Sequence, residues 1–415
     1  MSIDCRTRRV QDIRVLERDE LLDALLPDAL AVHGDLAGRG AVYLELPPLG
    51  LEIDDRNMTL VVSGGSLVMR PGIESARVVV VLSEEALSNY IQDVQSAMGL
   101  AMTSKVRITS GTINDWIAWE PVFRALLDGR KVHERGDITF TDIDGCLLDL
   151  NRRFLPDDDP EEMLRFLEQA GFLHIRDVFD DDLMGAIGAD IDEWIGRATP
   201  DDGESWWAES EGGEAQAVRI LFFHEKSSAL RTAVADERYQ WIGDLTGDGH
   251  RHGGGGEGLV KPLGIARGLS DLPWHKDCGQ GKHSYTCNGL TCGISVTGAD
   301  RLSGALGVIP GSHRANTMAA GRDPKLDLPS RMLETETGDV TVHCSDTLHR
   351  AHPPVERPRK VVYSSFALPS MPGDDVPSDA RSGRVARAAL SDVQDRIAAA
   401  DNPSDPQRYR AGRGH

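Results

Sequence analysis

The chain lacks most of what marks a secreted, membrane-spanning or nucleic-acid-binding protein. Its six cysteines, at positions 5, 146, 278, 287, 292 and 344 of 415 residues, form no C-x-x-C pair. They are too sparse for a disulfide framework, so a reduced, cytoplasmic setting is expected. No apolar run approaches the ~20 residues of a membrane span. The first twenty residues have no apolar core of a signal peptide. Basic residues are in the minority, 45 Lys+Arg against 66 Asp+Glu for a net charge of −21, and they are scattered. Nucleic acid and anionic membrane surfaces are therefore not expected partners. What the chain does have is length for two or three domains and 40% hydrophobic residues to build their cores.

Two short triplets stand out, His33-Gly34-Asp35 and His275-Lys276-Asp277. With 13 His and 66 acidic residues, chance alone supplies roughly two H-x-[DE] triplets. The second triplet is followed by His349 and, ten residues later, by Arg359. Two imidazoles and a carboxylate are the donor set of a facial iron(II) site with positions left open. On a strand, the first histidine and the aspartate would share a face while Lys276 points away. An arginine can hold a co-substrate carboxylate with two parallel N–H groups. His33-Gly34-Asp35 reads as a surface turn.

Segment patterns divide the chain. Leucines 16, 22, 25, 26 and 30 lie on helical spacing. The runs AVYLEL, MTLVVS, SLVMR and ARVVVVL read as strands, with Gly64-Gly65 as a hairpin turn. Ser83 caps a predicted helix over EEALSNYIQDVQSAMGL, and Gly129 closes the helix INDWIAWEPVFRALLDG after the strand KVRIT. These elements predict an α+β domain over 1–135. A connector over 136–158 leads to a second domain over 159–370, with a helix started by Asp159-Pro160 and stopped by Gly171. The glycine-rich stretch 248–258, with His250 and His252, reads as a loop, either a flap beside the site or a solvated linker. Residues 371–415 read as a tail, one helix and then disorder.

Residues 153–366 resemble the phytanoyl-CoA dioxygenase family of iron(II)/2-oxoglutarate oxygenases. The resemblance rests on four ordered blocks: LEQAGFLHIRDVFDDDLMGAIGADIDEWI, LPWHKD, LSGALGVIPGSH and GDVTVHCSDTLHRAHPPVERPRKVVYSSF. It implies a mainly-β double-stranded β-helix (a jelly-roll, cupin-like barrel) with flanking helices. It also implies iron ligation by His275, Asp277 and His349, the last in register eleven residues after Gly338. Arg359 is then the 2-oxoglutarate-binding residue, with Arg357 as rival. Proline at 358 suits a strand start and disfavours the earlier arginine. Ala351 departs from the family, whose members often carry a hydroxyl contact to 2-oxoglutarate there. Residues 1–135 resemble the sterol carrier protein-2 fold, which serves some relatives as a lipid carrier and others as scaffold.

The resemblance implies an enzyme using Fe(II), 2-oxoglutarate and O2 to hydroxylate, or otherwise oxidise, a C–H bond of a hydrophobic or acyl-type small molecule in biosynthesis. Asp277 favours hydroxylation over halogenation, because related halogenating enzymes lack that carboxylate. Trp274 and Lys276 are candidate substrate-lining residues. The neighbours His283, His343, His352, Cys278, Cys287 and Cys292 match no zinc spacing. The alternatives are a non-catalytic sensor or carrier on the same barrel and a zinc hydrolase. Expected partners are the small-molecule substrate and, as an assembly state the sequence leaves open, a second copy in a homodimer.

Overall fold

The computed structural model describes residues 14–267, 272–278, 289–321 and 323–368. The C-terminal tail, Cys5, Cys287 and His283 lie outside the described residues.

The first half builds a five-stranded sheet in the order Ser66–Pro71, Arg56–Ser63, Leu49–Ile53, Val78–Leu82, Val106–Ser110. Gly64 and Gly65 form the predicted hairpin turn at positive φ, 63° and 91°, with Ser63 opposite Ser66. Leu49–Ile53 runs parallel to Val78–Leu82, the one parallel pair in an otherwise antiparallel sheet. The expected strand AVYLEL is not one. Ala41–Tyr43 finish a long helix, Leu26–Tyr43, and the strand begins only at Leu49. Packing overrides local β preference here. Gly38 lets this helix touch the hairpin backbone, since a Cβ there would lie 2.4 Å from the Gly65 carbonyl oxygen.

The predicted helix after Ser83 is two helices. Ser83 caps Glu84–Ile91 by accepting from the Ala86 N–H, and Ser96 caps Ala97–Met102 in the same way. Asp93, at φ 55°, breaks the run between them. The last helices, Ile113–Ala118 and Glu120–Asp128, carry Trp116, Trp119 and Phe123 into the core, where Tyr90 stacks against Trp116 and Phe123 at 4.9 Å.

The second half opens on the helix Pro160–Ala170, capped by Asp159 and ended by Gly171 at φ 77°. Strand Phe172–Ile175 and helix Asp181–Arg197 follow. The largest sheet has nine strands, with Arg359–Ala367 at its middle between Glu257–Lys261 and Leu290–Ser295. A separate three-stranded sheet joins Arg331–Leu333, Leu306–Val308 and His349–Ala351. The connector docks onto this half: Phe154 is buried against Phe166 and bridges to Ile175.

The two halves share a core. Leu272, Met318, Ala320, Trp206 and Leu221 pack into the apolar cluster of the first half. Asn316 ties them with polar bonds, its side-chain amide donating to the carbonyls of Pro121 (2.9 Å) and Arg130 (2.8 Å). Among the described residues no helix is long and apolar enough to cross a membrane.

Candidate metal centre

His275, Asp277 and His349 come together, one ligand atom of each lying within 4.8 Å of the others. The His275 and His349 backbones bond each other reciprocally at 3.0 Å. This single bridge, with a second to Ala320, replaces the full strand expected around LPWHKD, and Asp277 follows in a turn. Asp277 Oδ1 lies 3.3 Å from His275 Nε2 and 3.4 Å from His349 Nε2. Each imidazole is held from behind, Nδ1 of His275 donating to the Pro273 carbonyl (2.7 Å) and Nδ1 of His349 to the Thr347 carbonyl (2.9 Å). Donation at Nδ1 leaves the Nε2 lone pair free for a metal.

The protonation states suit ligation. Burial pushes the His275 imidazole down from its ordinary range, and the neighbouring His349 adds to that. Burial alone would raise the Asp277 carboxyl, but the imidazoles of His349, His275 and His343 hold it well below the usual carboxylate range. A neutral imidazole and an ionised carboxylate are the forms a cation requires.

The sequence blocks acquire structural reasons. Ser312 in GSH accepts from the Leu348 N–H (2.7 Å) and donates to the Ile309 carbonyl (2.7 Å), which fixes the chain next to His349. Gly338 sits at φ 85°, where a Cβ would fall 2.0 Å from the Phe179 carbonyl oxygen. Asp339 is buried and accepts from His174 Nε2 (2.7 Å) and the Asp177 N–H (3.1 Å). The Gly-Asp pair therefore locks two chain segments and stands apart from the chemistry.

Arg359 begins the central strand and is 4% exposed, with Nε and Nη2 lacking any hydrogen-bond partner. It lines a pocket with Ser295, Leu306, Thr335, Thr341 and Tyr363. Its rival Arg357 is exposed and ion-paired to Asp300. Trp274 is partly buried, its ring edge-on to His352 at 6.5 Å and under the Arg350 guanidinium at 5.8 Å. Lys276 corrects the expectation of a lining residue. It is 0% exposed, and its electrostatic neighbours are Asp346, Arg130, Cys278 and Glu120, on the side where the two halves meet.

Three residues escaped the sequence reading. Thr291 donates to Asp277 Oδ2 at 2.8 Å. His343, which matches no zinc spacing, lies 3.6 Å from the same oxygen. Lys261 stands directly opposite Arg359 across the paired strands and donates to the His352 carbonyl (2.6 Å). Only His343 carried a signal, its place six residues before His349. His250 is buried and bonded to Thr246, and His252 stacks on Tyr239 and Phe366, so neither sits in a solvated loop.

The match to known proteins falls on this same segment, covering residues 167–360. Those residues match the family model of phytanoyl-CoA dioxygenase. The cofactors of a phytanoyl-CoA dioxygenase are iron(II) and 2-oxoglutarate, and the donors present fit both. Two imidazoles and a carboxylate suit iron(II), and a buried guanidinium with unused donors suits a carboxylate. Similar solved structures include AviO1 from Streptomyces viridochromogenes Tue57 (19% identity over 52% of this chain and 97% of that one, TM-score 0.42). EctD from S. alaskensis with bound Fe is also similar (17%, 51% and 78%, TM-score 0.43). So is the non-heme alpha ketoglutarate dependent carbocyclase SnoK from nogalamycin biosynthesis (20%, 56% and 94%, TM-score 0.43). No curated protein matches the chain.

Proposed function

We propose that the protein is a 2-oxoglutarate-dependent hydroxylase acting on an unactivated C–H bond of a hydrophobic or acyl-type small molecule, on a double-stranded β-helix spanning 159–370. The observation that carries this reading is the combination of the His275/Asp277/His349 face with the buried, under-bonded Arg359. Iron bound there supplies oxygen activation, with 2-oxoglutarate converted to succinate and carbon dioxide. The protein's own share is placement. His275 and His349 present Nε2 because their Nδ1 atoms are committed to backbone carbonyls. Asp277 keeps Oδ1 on the same side, and its presence leaves no vacant site for halide. Arg359 receives the far carboxylate of the co-substrate, in a pocket lined by the hydroxyls of Ser295, Thr335, Thr341 and Tyr363 beside Leu306, Leu333 and Val361. The net charge of −21 disfavours a phosphate-rich substrate. The first half, whose core continues under the metal face, serves in this reading as a brace.

The test is spectroscopic and chemical. Anaerobic Fe(II) with 2-oxoglutarate should give a weak visible charge-transfer band, and admitting oxygen should yield succinate. Folded protein giving neither would refute the reading, as would succinate formation that survives His275→Ala. A sensor or carrier, or a zinc hydrolase, gives no succinate.

A further inference from the structure

His343 is a third imidazole at the centre. It is 1% exposed, its ring lies 4.2 Å from that of His349, and its Nε2 lies 3.6 Å from Asp277 Oδ2. Neither of its ring nitrogens has a hydrogen-bond partner. A fully buried imidazole whose one polar approach is this long one to Asp277 is costly, because the lost solvent bonds are not fully replaced. Such a residue calls for a reason that ordinary packing does not give.

Its setting differs from that of the two ligand histidines in one decisive respect. His275 and His349 each commit Nδ1 to a carbonyl, which turns a bare Nε2 towards the metal. His343 has no carbonyl at Nδ1, so nothing prevents the proton from residing on Nε2, the atom nearest Asp277. It stands in the strand Val340–Cys344 directly opposite Thr291, whose hydroxyl already donates to the same carboxylate oxygen at 2.8 Å. Two cross-strand neighbours therefore converge on Oδ2, while Oδ1 faces the ligand imidazoles.

We propose that His343 is a positioning residue which, with Thr291, donates to Asp277 Oδ2 and so holds the carboxylate to the metal through Oδ1 alone. Pinning one oxygen would leave Asp277 only Oδ1 to offer to a metal. Partners of this kind, which orient a ligand without touching the metal, typically change metal affinity ~10- to 100-fold when removed. The inference rests on the metal reading above.

The experiment is a titration of the full metal-free chain with Fe(II) alone under anaerobic conditions, followed by tryptophan fluorescence, together with thermal unfolding before metal is added. His343→Leu should weaken Fe(II) binding about 10-fold or more without lowering the unfolding temperature of the metal-free protein. His343→Gln, whose side-chain amide can donate to Oδ2, should recover most of that affinity. Thr291→Val should weaken binding separately. Cu(II) loaded into wild type should show electron-spin resonance splitting from two imidazole nitrogens. Unchanged affinity in His343→Leu, failure of His343→Gln to recover it, or splitting from three imidazoles would each overturn the proposal. If wild type itself binds no Fe(II), the metal reading fails instead, and His275→Ala serves as the non-binding control.

Discussion

The chain holds two H-x-D triplets, and the fold treats them in opposite ways. His275 lies in an isolated bridge and Asp277 in the turn after it; both converge with His349 and are backed by carbonyls and a hydroxyl. His33 and Asp35 lie inside the helix Leu26–Tyr43, where residues two apart point roughly 200° apart around the axis. The helix corrects the expected turn. His33 Nδ1 turns inward to the Leu126 carbonyl at 2.9 Å, and Asp35 turns outward to the Ser66 hydroxyl. The middle residues diverge too. Gly34 must be small, a Cβ there standing 3.1 Å from the Leu67 carbonyl oxygen, whereas Lys276 is a long side chain buried where the halves meet. Backbone setting, not residue identity, decides which triplet can grip a cation.

The contrast can be broken outright by one pair of variants. Asp277→Ala should abolish both the Fe(II)/2-oxoglutarate band and succinate formation, while Asp35→Ala should leave both at wild-type level. Equal loss in the two would erase the distinction. A second contrast separates the arginines. Arg359→Met should weaken 2-oxoglutarate about 10- to 100-fold, the equivalent of roughly 1.5–3 kcal/mol for charged hydrogen bonds. Arg357→Met, which removes an exposed ion pair, should change the KM for 2-oxoglutarate less than about 2-fold.

The neighbourhood of Lys276 gives a pH test. Burial raises the Glu120 carboxyl to about 7, above its unfolded value. The folded state therefore holds the proton more tightly, and stability falls as pH rises from about 4.5 through 7. Glu120→Gln removes the penalty. It should stabilise the protein by about 1–3 kcal/mol at pH 8 and by little at pH 4.5, measured by denaturant unfolding at both. A gap independent of pH would contradict the assignment. The first triplet affects stability alone: His33→Ala should cost about 0.5–1.5 kcal/mol through its one hydrogen bond and leave Fe(II) affinity untouched.

Much of the centre was legible because its chemistry is written in residue types that few structural roles require together. His275, Asp277, His349 and Arg359 could be named from spacing and block order, and helix ends from Asp159 and Gly171. What stayed hidden depends on contacts across the chain. Nothing local in LTCGIS says that Thr291 meets a carboxylate fourteen residues earlier. Nothing in AVYLEL says that its first half finishes a helix packed on a glycine hairpin. His343 could be seen as a histidine but not as one without partners, since that is a property of the packed interior.

Lys276 has a further consequence. The family match begins at residue 167, but Lys276, between His275 and Asp277, is buried with Glu120 and Arg130 among its electrostatic neighbours. Ala320, which bridges to His275, packs into the core of the first half. A fragment trimmed to the family limits would expose a lysine evolved for a dry seam and strip apolar cover from behind the metal face. The unit that is recognisable as inherited is thus smaller than the unit that can hold its shape.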